Sequence, residues 1–209
     1  MPTTNVYIDG FNLYYGCLRD TPHRWLDLGA FARLLLPGSH TIHRIRYYTA
    51  RVSALPRDPD APRRQEIYLR ALATVPNLSI VFGHFLSNTV MMPLAAPPAT
   101  GSKFVRVIKT EEKGSDVNLA SHMLVDAFNK DCEVAFVISN DSDLLEPIRI
   151  ARRQLGMQVG LASPYKKTAR VLATEVNFIR PVWPRTLKRS QFPSTLNDGK
   201  GTFSKPATW

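Results

Sequence analysis

Short runs of β-branched and aromatic residues alternate along this chain with longer stretches whose apolar positions recur every three to four residues. Residues 4–8 (Thr-Asn-Val-Tyr-Ile) predict a buried strand that stops at Asp9-Gly10. The aromatic-rich segment 11–18 predicts a helix, and 26–36 a second helix closed by Pro37-Gly38. Ile45, Tyr47 and Thr49 alternate within a predicted strand over 42–52. Three prolines and two aspartates make 55–62 a loop; 63–74 then reads as an amphipathic helix ended by Pro76-Asn77, and 78–86 as a strand.

Residues 87–102 are rich in Pro and Ala and predict a long excursion without regular structure. Residues 104–108 alternate apolar and basic, as an edge strand would. The pattern over 115–128 predicts a helix with Ser115 as N-cap and Val117, Ala120, Leu124 and Ala127 on one face. A strongly apolar strand at 133–138 is followed by a helix over 144–154 that ends at Gly156, a strand at 157–162, a helix at 168–174 and a short strand at 178–179. The alternation predicts a parallel sheet covered by helices on both faces, an α/β domain over 1–182 with its insertion at 87–102. Pro, Ser, Gly and Lys dominate after Pro181, so 183–209 is expected to be a basic, flexible tail.

Composition supports a real core: 44% of the 209 residues are hydrophobic. No apolar run approaches the ~20 residues that span a bilayer, and the N-terminus shows no secretory pattern. Cys17 and Cys132 are single and far apart, which suits reduced thiols in a cytoplasmic protein. Net charge is +10, distributed unevenly: residues 145–209 carry twelve Lys/Arg against three Asp/Glu, whereas 1–144 carry fifteen against fourteen. A basic flank of this kind suits a phosphate polyanion or serves solubility.

The candidate chemistry is acidic. Asp9 and Asp141 follow apolar strands immediately, and Asp116 begins a helix. Ligands of parallel sheets gather beyond the carboxyl ends of the strands, so these side chains can share one edge. Asp143, two residues after Asp141, could join them or, with Glu146, cap the next helix. Carboxylates gathered this way repel one another, and a divalent cation relieves the repulsion. Hard oxygen donors without a Cys/His cluster indicate Mg²⁺ or Mn²⁺, as one ion or two. Asn12 either steadies Asp9 or meets substrate, and Ser139, Asn140 and Ser142 fill the turn around Asp141, where Ser139 and Asn140 are expected to meet substrate too. Lys113, Arg149, Arg152, Arg153, Lys166 and Lys167 are the candidates for holding flanking phosphates. Glu111 and Glu112 read as a solvated charge run, and Asp126, Asp131 and Glu133 as surface acids. The chain has no Gly-rich phosphate loop, which disfavours a nucleotide hydrolase.

The segments Asp9-Gly-Phe-Asn12, Lys113-Gly-Ser-Asp-Val-Asn-Leu-Ala120 and Ser139-Asn-Asp-Ser-Asp143 resemble the motifs of the NYN domains, a branch of the PIN-like metal-dependent ribonucleases, in their order and spacing. The resemblance covers roughly residues 4–180. It implies a three-layer α/β/α sandwich with a central, mainly parallel sheet, and a Mg²⁺ or Mn²⁺ site. It further implies cleavage of single-stranded or structured RNA by a metal-dependent endoribonuclease. The carboxylates would be Asp9, Asp116, Asp141 and Asp143, with Asn12 and Ser139 beside them. Many relatives carry a further Asp near the position of His122, so this chain has one acid fewer, which adds weight to a one-metal site. The resemblance leaves room for a homo-oligomer. The alternative is a non-catalytic RNA-binding or regulatory module on the same scaffold; the four carboxylates favour the enzyme, because they would only repel RNA without a metal.

Overall fold

The computed structural model describes residues 1–56 and 58–209. Its centre is a six-stranded sheet in the order β3-β2-β1-β6-β7-β8. The strands are β1 (Thr3–Asp9), β2 (Thr41–Thr49), β3 (Leu78–Phe82), β6 (Val134–Ile138), β7 (Gln158–Ala162) and β8 (Phe178–Ile179), and every pairing between them is parallel. Successive side chains of a strand point to opposite faces, and two cores follow. Val6, Ile8, Ile45, Phe136 and Ile138 pack under α1 (Gly10–Leu13), α2 (Leu28–Leu35), α3 (Ala61–Leu72) and α7 (Pro184–Arg189). Tyr7, Tyr48, Ala135, Val137 and Val159 pack under α4 (Ser115–Phe128), α5 (Leu145–Arg149) and α6 (Arg170–Ala173). This is the helix–sheet–helix sandwich expected from the alternation of strands and helices. From β1 the chain proceeds outward to β2 and β3, then returns to place β6 on the other side of β1. The switch point between β1 and β6 opens a crevice at the carboxyl ends of those strands.

Several sequence expectations are corrected. The first part of the Pro-rich 87–102 stretch is strand and only 94–102 lacks regular structure: β4 (His84–Pro93) and β5 (Phe104–Lys113) pair antiparallel as a separate two-stranded ribbon, in which 104–108 is an edge strand as expected. The prolines fall at the last residue of β4 and in the turn beyond it, where no ladder hydrogen bond is required. The segment expected to be a loose tail folds into α7 and a hairpin of β9 (Thr195–Asp198) and β10 (Gly201–Ser204). Leu187 and Phe192 are buried in the core, the Phe192 ring lies 5.7 Å from that of Trp25, and Trp209 reaches Tyr68 at 5.2 Å. Arg70 clamps the hairpin with two hydrogen bonds to Asp198, at 2.8 and 2.7 Å.

In α4 the buried face is Leu119, Met123 and Ala127, and the Val117 side is exposed. Asp126, read as a surface acid, is buried on that same face. It accepts hydrogen bonds from Tyr7 Oη (2.6 Å), Asn5 Nδ2 (3.1 Å) and Arg46. Burial alone would raise its pKa, but the Arg46 and Tyr7 bonds hold the carboxyl below the usual range. The segment after Asp141 is not one helix: a 3₁₀ turn (Ser142–Leu144) leads into α5, which widens into a π-helical turn (Ile150–Gln154). Among the described residues no helix is long and apolar enough to cross a membrane.

Candidate metal centre

The site is assembled at the switch-point crevice. Asp9 closes β1, and Gly10 turns the chain at once into α1. A Cβ on Gly10 would lie 2.5 Å from the Tyr48 carbonyl oxygen, so only glycine lets the turn sit this close to β2. Ile8 pairs with Ile138, which brings Asp9 beside Ser139. Asp9 Oδ1 accepts from the Asn12 backbone N–H at 2.9 Å, and Oδ2 accepts from Ser139 Oγ at 2.9 Å. Ser139 Oγ in turn accepts from the Asp141 N–H at 3.1 Å, and Asn12 Oδ1 accepts from the Asn140 N–H at 2.8 Å. Asn140 spans onward, accepting from the Ala169 N–H at 2.7 Å and donating to the Lys167 carbonyl at 3.2 Å. Asn12, Ser139 and Asn140, expected to touch substrate, therefore have polar groups engaged in fixing the two strand-end turns.

Asp116 enters from the first turn of α4. Gly114, at φ 98°, precedes that helix, and Glu112 caps it, accepting from the Ser115 N–H at 3.1 Å and Ser115 Oγ at 2.7 Å. Gly83 lets the β3–β4 connection pass, since a Cβ there would lie 2.5 Å from the Lys113 carbonyl. One carboxylate oxygen each from Asp9, Asp116 and Asp141 lies within 4.8 Å of the others. They open into a cleft of about 240 Å³ whose walls include Glu112, Phe11, Tyr15 and Phe85. Burial raises the Asp9 pKa to about 6, with the charges of Asp116 and Asp141 adding to the rise against the Asn12 and Ser139 hydrogen bonds. Burial, then Asp141, Glu112 and Asp143, also raise that of Asp116.

The other expected site residues divide. Asp143 is exposed and lies outside the group of three; its backbone N–H bonds Asp141 Oδ1 at 2.9 Å, and its charge still reaches Asp116. Lys113, exposed at the end of β5, adjoins the start of α4, and Lys166 and Lys167 are exposed beyond the carboxyl end of β7. Arg149, Arg152 and Arg153 do not join the site. All three converge on buried Glu175, Arg153 at 2.7 Å, Arg149 at 3.8 Å and Arg152 at 3.9 Å. Glu175 precedes β8 and so lies toward the amino ends of the strands, the far edge of the sheet. His122 stands apart as well, its Nδ1 3.2 Å from Tyr48 Oη. Sequence reasoning missed Glu112, whose signal was its place three residues before the Ser115 hydroxyl, and the aromatic wall, whose signal was the ring-rich segment after Asp9.

The sequence pattern of the NYN domain matches residues 3–180. This chain belongs to the NYN domain family. It is 30% identical over 236 aligned positions to the 6-hydroxy-3-succinoylpyridine 3-monooxygenase HspA of Pseudomonas putida, an alignment covering 99% of this chain and 75% of that protein. Its fold is also similar to the crystal structure of a Vibrio parahaemolyticus protein of unknown function, with a TM-score of 0.56 at 14% identity, covering 88% of this chain and 94% of the other. The NYN family implies a PIN-like nuclease fold, and the acidic cluster lies at the carboxyl edge of this NYN domain's sheet.

The hydrogen bond from Ser139 orients Asp9 without touching the cleft. Such supporting bonds are worth about 10–100-fold in metal affinity. Ser139→Ala is expected to weaken Mn²⁺ binding within that range while the far-ultraviolet circular dichroism stays unchanged; unaltered affinity would make the bond irrelevant to the site.

Proposed function

We propose that this NYN domain hydrolyses RNA phosphodiester bonds with a divalent cation, Mg²⁺ or Mn²⁺, held by Asp9, Asp116 and Asp141. The observation that carries the reading is the approach of three carboxylates to within 4.8 Å, one of them buried. Such a cluster is self-repelling, and its all-oxygen donor set suits a hard cation. A divalent ion bound there would lower the pKa of a water and stabilise charge building on a phosphate. The chain's own groups supply the rest. Asn12 and Ser139 keep Asp9 fixed, and Ser139 and the turn around it fix Asp141. The exposed Asp143 carboxylate stands on the rim, where its charge reaches Asp116. Lys113, Lys166 and Lys167 hold flanking phosphates, a task not shared by the arginines engaged with Glu175.

The test is cleavage of single-stranded and hairpin RNA with Mn²⁺, with Mg²⁺ and with chelator, by the wild type and by Asp141→Asn. Cleavage should require metal and fall by about 100-fold or more in the variant, because loss of a ligand exceeds the loss of an outer-shell bond. Cleavage indifferent to chelator, or equal in the two proteins, would refute the reading.

Similarity along 99% of the chain to a protein named as a monooxygenase favours a second reading, oxygenation of a small aromatic compound. Dioxygen uptake with 6-hydroxy-3-succinoylpyridine and a two-electron reductant, without RNA cleavage, would put that activity in place of the first.

A further inference from the structure

A second cavity, of about 540 Å³, lies beside the carboxylate cleft and not in it. It is bounded by α1, the π-helical turn Tyr14–Leu18, α3 and the C-terminal Trp209. The size falls within the range of about 300–1,000 Å³ usual for small-molecule sites. Its walls have two properties that an ordinary packing defect lacks. The first is aromatic: Tyr15, Tyr47, Tyr68 and Trp209 all line it, and the Tyr68 hydroxyl is already committed to the Leu26 carbonyl at 2.8 Å. The second is an excess of positive charge. Arg64 is neutralised by Asp58, with both carboxylate oxygens at 2.6 Å. Among the described residues Arg19 has only Asp20, at 4.0 Å, and it lies over the Tyr15 ring at 5.6 Å. Arg24 also lines the cavity and donates to the Thr208 carbonyl at 2.8 Å.

We propose that this cavity binds one planar heteroaromatic ring carrying an anionic group, the ring against Tyr15 and Trp209 and the anion toward Arg19 and Arg24. Aromatic faces accept any π-system of suitable size, and guanidinium groups pair with carboxylate or phosphate. Two sources share that chemistry: an unstacked base of a nucleic-acid strand with its phosphate, and a free aromatic acid. Phe11 and Tyr15 line both the cavity and the carboxylate cleft, so a ligand in one is adjacent to the other. The cavity assignment stands whichever activity the carboxylates have.

The experiment is calorimetric titration of the full chain with uridine monophosphate, with nicotinate and with ribose phosphate, repeated on Tyr15→Ala and Arg19→Gln. Both side chains are exposed, so the variants retain the fold. At least one ring-bearing anion should bind saturably and ribose phosphate should not. Tyr15→Ala should weaken that binding by about 5-fold or more, as expected for a lost ring–ring stack, and Arg19→Gln should weaken it as well. A second arm moves a single abasic nucleotide along an RNA oligonucleotide and measures binding to each protein. Weakening confined to one position, and absent in Tyr15→Ala, assigns the cavity to a base of the strand. A flat scan together with binding of a ring-bearing anion assigns it to a free aromatic acid. Equal binding of ribose phosphate, an affinity indifferent to Tyr15→Ala, or no ring-dependent binding in either arm overturns the proposal. The ribonuclease reading fails separately, in the metal-dependent cleavage assay.

Discussion

Asp9→Asn is expected to stabilise the metal-free protein at neutral pH while abolishing its response to Mn²⁺. Asp9 is buried, and its pKa rises from an ordinary 3.8 to about 6. Between those values the folded chain holds a proton that the unfolded chain has released. Stability from this group is therefore fully present below pH 3.8 and is lost as pH climbs through 6. The shift corresponds to about 3 kcal/mol at pH 7. Asparagine carries no such charge and can still accept from the Asn12 N–H. The difference in unfolding free energy between variant and wild type, in chelator, should grow from near zero around pH 4 to about 2–3 kcal/mol at pH 7. Groups common to both proteins, such as Asp126 with its lowered pKa, cancel in that difference. Added Mn²⁺ should stabilise the wild type progressively and leave the variant unmoved. A difference that stays flat from pH 4 to pH 7 would remove the repulsion argument, and an equal response to Mn²⁺ would remove Asp9 from the ligand set.

The second large effect concerns the C-terminal segment. Cutting the chain after residue 183 removes Leu187, Phe192 and Trp209, and uncovers Trp25 and Tyr68. Losing a buried leucine or phenylalanine side chain costs about 2–5 kcal/mol. Two such losses approach the entire stability of about 5–15 kcal/mol that a domain possesses. The truncated chain should be insoluble, or melt about 10 °C or more below the full chain. Because the segment also carries Arg185, Lys188, Arg189, Lys200 and Lys205, weaker RNA binding after truncation would report unfolding as much as lost charge. An unchanged melting temperature would restore the picture of a loose appendage.

The central architecture was legible because it follows from nearest neighbours along the chain. Val6 and Ile8 against Tyr7, and Phe136 and Ile138 against Ala135 and Val137, occupy opposite faces as their alternation requires. Asp9, Asp116 and Asp141 were legible for the same reason: each sits where a strand or helix ends or begins, and in a parallel sheet those ends share an edge. Several failures involve partners distant in sequence. Asp126 is 80 residues from Arg46, and nothing local announces their pairing. Glu175 claims arginines more than twenty residues upstream that charge counting had offered to RNA. Three apolar anchors among prolines, serines and lysines were too sparse to suggest a folded C-terminal segment. Asp143 was open in the sequence to joining Asp141 or capping the next helix, and the 3₁₀ turn that begins between them leaves it on the rim.

The ribbon of β4 and β5 has a consequence for how the protein behaves in concentrated solution. Ten residue pairs at about 3.3 Å each make a projection some 30 Å long, and both outer edges present unpaired backbone groups. Met91, Met92, Leu94, Phe104, Val105 and Ile108 are all exposed on it. Such a ribbon is a template for adding further strands edge to edge. Lys103 and Arg106 stand among these residues on β5 and the turn before it. Their like charges make the approach of a second ribbon repulsive, so these cations act as guards of colloidal stability.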